Sequence, residues 1–169
     1  MGTFHIEARD LCWIDGSKDD PKDLCLHGNA KAVIGERTYE FHATVSATAL
    51  YLLKTVTEDH VIGKDNQMLP CCGHFMVPDK DLQNVTIAGC PEGIDWSVIH
   101  ENGGIKLIAE DGYECEIDPE EYKAEAFAFA DMIESFYAQC SPKEFDRGDK
   151  FRKDCFTAFW NEWRRRRSE

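Results

Sequence analysis

Residues 95–117 (DWSVIHENGGIKLIAEDGYECEI) constrain the fold more tightly than any other stretch of this chain. Asn102-Gly103 is a dipeptide favoured in two-residue hairpin turns, because both central residues of such a turn take positive φ. Closing the chain there sets Trp96 across from Ala109, Val98 from Leu107 and His100 from Ile105, and these pairs share one face. At the next reversal a two-residue Asp111-Gly112 turn would set Leu107 opposite Glu116 and mix the faces. A three-residue loop, Glu110-Asp111-Gly112, instead pairs Ala109 with Tyr113, Leu107 with Cys115 and Ile105 with Ile117, and puts Gly112 at the left-handed position. A one-residue slip would invert every side chain. The stretch is therefore expected to be a three-stranded antiparallel meander whose apolar face another layer must cover.

The covering elements are legible on both sides. Asp118-Pro119-Glu120-Glu121 is a strong helix start, with a capping carboxylate, proline in the first turn and acidic groups at the positive end. The helix over 119–139 carries Tyr122, Ala126, Phe129, Ile133, Phe136 and Cys140 along one stripe. Phe151, Cys155, Phe156, Phe159, Trp160 and Trp163 form the apolar face of a last helix over 149–166, whose four terminal arginines suit its carbonyl end. A third helix is expected over 47–58, capped by Ser46 and carrying Ala49, Leu50, Leu53 and Val56 at helical spacing. Upstream, residues 3–9 and 39–45 alternate as half-buried strands, residues 24–26 and 30–34 are short strand candidates, and residues 85–90 form a further β-branched segment. His5 and His42 fall on the solvent faces of their strands. The expected fold class is α+β: an antiparallel sheet, made of N-terminal hairpins plus an 85–117 meander, packed against about three helices. Without linkers or repeats, residues 1–169 are expected to form a single domain.

Charge narrows the function. Four arginines against one glutamate give the last six residues +3 of the net −13, so residues 1–163 carry −16. A body this negative repels phosphate backbones, which argues against nucleic acid and anionic membranes as partners and favours a basic protein. No segment is apolar and long enough to cross a membrane, and no charged segment followed by an apolar run opens the chain. Eight cysteines are too few for a disulfide scaffold of this length, so a cytoplasmic location with reduced thiols is expected. The glycine patterns that bind nucleotide phosphates are absent, as are HExxH and GxSxG.

The chemically suggestive stretch is the connector over 58–75, EDHVIGKDNQMLPCCGHF. Glu58 and Asp59 stand at the expected end of a helix, where carboxylates oppose the dipole, so either the helix ends before they matter or they answer to something outside it. Cys72 and His74, with adjacent Cys71 and His60 or Asp59 from the helix end, supply zinc-ligand types. The spacing departs from C-x₂₋₄-C, however, and vicinal cysteines rarely reach one ion, so no metal or cofactor is favoured. The same side chains would also suit a nucleophilic thiol with a histidine base and Asp59 as orienter. A strongly acidic surrounding opposes that by raising a thiol pKa. The plainer alternative is that residues 69–72 pack a loop onto the core while His74 opens a strand. Two functions follow. The first is an acidic, non-catalytic protein-binding module, an inhibitor or immunity-type protein for a basic partner, with Glu58, Asp59, Asp65, Asp79 and Asp81 as contact residues. That comparison rests on size and composition alone. The second is a thiol- or zinc-dependent hydrolase built on Cys72, His74, His60 and Asp59.

Overall fold

In a computed structural model, which describes residues 2–169, the element order is β1 (Phe4–Cys12), β2 (His27–Ile34), β3 (Arg37–Ala43), α1 (Val45–Lys54), β4 (Leu69–Pro70), β5 (Phe75–Pro78), β6 (Val85–Ala88), β7 (Gly93–Ile94), β8 (Trp96–Glu101), β9 (Gly104–Ala109), β10 (Glu114–Ile117), α2 (Pro119–Gln139) and α3 (Lys150–Arg167). Met1 lies outside the described residues. The fold is α+β, with three helices against antiparallel strands. The strands divide among several sheets rather than forming one. The meander has the register expected from its turns, with Trp96 opposite Ala109, Val98 opposite Leu107, Leu107 opposite Cys115 and Ile105 opposite Ile117. Asn102 and Gly103 both take positive φ, as does Gly112 at +81°.

One core joins the layers. Phe4 of β1 lies 6.1 Å from the Trp96 ring and 4.9 Å from the Tyr122 ring, centroid to centroid, and so ties the first sheet to the meander and to α2. The N-cap of α2 is as expected, with the Asp118 carboxylate accepting from the amides of Glu120 and Glu121. Helix α1 is the element the others close around. Residues 45–50, 52 and 53 are all buried, and α1 packs against α2, α3, β2 and β4. A helix buried on nearly every side belongs in the middle of a core.

Five local expectations need correction. Helix α1 spans Val45–Lys54 rather than 47–58, and Thr44 holds the cap position without a side-chain cap. Ser46 does not cap, because its Oγ accepts the Leu26 amide at 3.1 Å. Residues 24–26 form no strand; they are buried loop, held by Tyr137 Oη donating to the Leu24 carbonyl at 2.7 Å. Val85–Ala88 pairs with Phe75–Pro78 and not with the meander. On α3, Cys155, Phe159 and Trp163 are buried as the stripe requires, whereas Phe151 is 52% exposed.

The arginine run folds back onto the body. Arg166 is buried and pairs with Glu58, Glu162 and Glu169. Arg165 reaches Glu169 at 2.9 Å. Arg167 reaches Asp131 at 2.6 Å, with its guanidinium 4.1 Å from the Phe127 ring centroid.

Candidate functional site

The connector leaves α1 early and runs antiparallel alongside β8. His60 forms an isolated bridge with Val98, each amide donating to the other's carbonyl at 2.9 Å. Its Nε2 meets Asp95 Oδ1 at 2.8 Å, and both side chains are buried. The same oxygen accepts from the amides of Met68 and Trp96. This histidine–carboxylate pair therefore organises backbone in the interior, and His60 also forms part of the wall of the adjacent cleft.

Glu58, Asp59 and Asp65 line one cleft of about 330 Å³ at the carbonyl end of α1, together with Tyr51, Lys54 and Lys64. Each has an internal commitment. Glu58 pairs with Arg166. Asp59 Oδ1 accepts from the His100 amide at 2.8 Å and lies 2.9 Å from His100 Nδ1. Asp65 Oδ2 accepts the Val61 amide at 2.9 Å. Among the described residues, each carboxylate keeps its second oxygen without a hydrogen-bond partner. The hydrogen bonds from His100, the backbone one first, hold Asp59 below the ordinary carboxyl range, so it is ionised at neutral pH. Asp79 and Asp81 lie farther along, at the turn between β5 and β6, where Asp79 accepts from the Gln83 amide and Asn84 Nδ2.

Of the proposed catalytic and metal residues, Asp59 and His60 share the cleft, but the cysteines and His74 do not join them. Cys71 and Cys72 lie outside the cleft, and exposed His74 lines a separate cavity beside α3 with Asp23, Phe75 and Phe151. The companion of the two vicinal thiols is Cys90, which sequence reasoning missed. Leu69 pairs with Ile94 and Pro70 with Gly93, while Phe75 pairs with Ala88 and Pro78 with Val85. All these pairs belong to one antiparallel register, so residues 71–74 lie across from residues 89–92. Proline cannot donate to a ladder, and Pro91 stands in that gap. Among the described residues, the Cys71 amide is the one backbone donor across it, to the Glu92 carbonyl at 3.1 Å.

The gap is pinned from beneath by the start of α1. The Thr44 amide donates to Pro70 O at 2.8 Å, and Thr44 Oγ1 donates to Cys71 O at 3.2 Å. At Gly73 a Cβ would come within 2.8 Å of Thr44 Cγ2 and 2.9 Å of Ala47 Cβ, which is why the backbone can approach so closely. The three thiols are half-buried, and their Sγ atoms all lie within 4.8 Å of one another, Cys71 and Cys72 at 3.9 Å. Hydrogen bonding with Cys72, then burial, pushes the Cys71 thiol up to about 11. A backbone hydrogen bond at Glu92, then Cys72, holds Cys90 lower than an ordinary thiol. Cys71 is thus a thiol at neutral pH and a poor nucleophile.

No protein-family model, curated protein or solved structure matches the chain. Among the described residues, no helix is long and apolar enough to cross a membrane.

Proposed function

We propose that this chain is an acidic protein-binding module that engages a basic protein partner through the Glu58–Asp59–Asp65 cleft and acts on it without catalysis. The observation that carries the reading is the convergence of three connector carboxylates, each with a free oxygen, at the negative end of a buried helix. A lysine or arginine side chain of the partner is the occupant this chemistry favours. Asp79 and Asp81 extend the acidic margin. The folded-back arginines support the same partner, since Arg165, Arg166 and Arg167 are already matched to carboxylates of this chain and offer little to an anion. Complementary charge of this kind speeds encounter and excludes acidic competitors, as an inhibitor or immunity-type protein requires. Eight free cysteines suit a reducing compartment such as the cytoplasm.

The hydrolase alternative is the less favoured reading, because its thiols and His74 lie apart from the cleft that Asp59 and His60 line. The test is affinity capture under cross-linking, with the wild type and an Asp59→Lys/Asp65→Lys variant as parallel baits. Basic proteins retained by the first and lost by the second are expected. Identical capture by both baits would remove the cleft from the reading.

A further inference from the structure

Cys71, Cys72 and Cys90 have the geometry of a ligand set. Two sulfurs that share one ion at about 2.3 Å, at trigonal or tetrahedral angles, stand roughly 3.8–4.0 Å apart. Cys71 and Cys72 stand at 3.9 Å, and Cys90 closes the triangle with all three sulfurs inside 4.8 Å. Vicinal cysteines ordinarily diverge. Here the ladder is interrupted between Pro70–Gly93 and Phe75–Ala88, which frees both side chains to turn to the same side. The backbone beneath is held by Thr44, by the Cys71–Glu92 bond and by the tight seat of Gly73, so the sulfurs need little reorganisation. Half-burial leaves an entry path.

Donor type selects the ion. Among the described residues, no imidazole or carboxylate joins the three thiols within that radius, so the donor set is sulfur alone and three in number. Structural zinc takes four protein ligands in a tetrahedron, and zinc with three protein ligands keeps an oxygen donor in the fourth position. Soft thiolates select copper(I), among other thiophilic centres. We propose that Cys71, Cys72 and Cys90 bind one copper(I) ion per chain in a three-coordinate, all-sulfur site. Coordination displaces the three S–H protons to solvent and changes no oxidation state. The site is separate from the acidic cleft, and its test does not depend on the partner.

The experiment is anaerobic titration of the reduced full chain with copper(I) against a competing chelator, followed by sulfur X-ray absorption analysis of the one-equivalent complex. We expect one ion per chain with three sulfur neighbours. Cys72→Ser and Cys90→Ser should each weaken binding by more than about 100-fold, the upper end of what loss of even an outer-shell partner costs. Cys12→Ser should leave it unchanged. In the wild type, copper should shield Cys71, Cys72 and Cys90 from alkylation while Cys12 and Cys140 label at their former rate. Should the serine variants lose the native circular dichroism, the wild-type footprint and sulfur count decide alone. Binding that survives in a folded Cys90→Ser variant, copper that spreads over all eight cysteines, or zinc held with a fourth nitrogen or oxygen ligand and not displaced by copper(I), would each overturn the proposal.

Discussion

Glu162 is the side chain on which the arginine run depends. It is 1% exposed; Oε2 accepts the Val85 amide at 2.8 Å, and Oε1 lies 3.6 Å from Arg166 Nε and 4.0 Å from Lys54 Nζ. Among the described residues that Nε has no hydrogen-bond partner, so charge attraction at 3.6 Å is what it receives from Glu162. Glu162→Ala would orphan a buried amide, which costs about 1–3 kcal/mol. It would also strip a buried guanidinium of its interior counter-charge, and breaking a buried pair costs about 3–5 kcal/mol. Arg166 keeps Glu58 and Glu169, so the whole loss should fall near the lower end of that range, about 3 kcal/mol. Glu162→Gln keeps an oxygen for Val85 but loses the charge facing Arg166, which keeps Glu58 and Glu169, so it should cost about 1–2 kcal/mol and less than alanine. Urea unfolding followed by tryptophan fluorescence, with the slope checked for constancy, reads both. An alanine variant that loses less than about 1 kcal/mol, or a glutamine variant that loses as much as alanine, would refute this account of how α3 is held.

Three further outcomes are expected. Gly112→Val should cost about 1–2 kcal/mol by forcing a branched residue to φ +81°, read as a lower urea midpoint at unchanged slope. Phe159→Ala should cost roughly 3–5 kcal/mol because the ring is buried, whereas Phe151→Ala should stay within about 0.5 kcal/mol. Asp59 has a depressed folded pKa, so its contribution is complete above the unfolded value of about 3.9 and vanishes as pH falls through the lower folded value. The stability gap between wild type and Asp59→Asn should therefore be flat from about pH 7 to 5 and close below about pH 4.

What was legible in the sequence was whatever short-range chemistry settles. Asn102-Gly103 and Gly112 fix turn types, and face-matching then fixes the register of the whole meander. Asp118-Pro119 fixes where α2 begins. Illegible features all depended on partners distant in sequence. Ser46 looks like a cap until Leu26 takes its hydroxyl, and a four-arginine tail looks solvated until Arg166 meets Glu58 and Glu162. The apparent conflict of Glu58 and Asp59 with the helix dipole dissolves because α1 ends at Lys54, before either residue, and both find cationic or donor partners beyond it. Cys90 was missed because the hairpin that returns it to Cys71 and Cys72 closes through a six-residue turn without a turn-type signature. His60 and His74, close to the cysteines in sequence, were drawn away by a β-bridge and by the start of a strand.

The most direct test of the binding account is the association rate of a captured basic partner with this chain, measured by stopped flow across ionic strength. We expect the rate to fall by about tenfold or more as salt rises toward physiological strength, and to be low at every salt concentration for the folded Asp59→Lys/Asp65→Lys variant. A rate indifferent to salt and to both substitutions would contradict it, as would turnover by the purified protein that disappears in folded Cys72→Ser and His74→Ala alike.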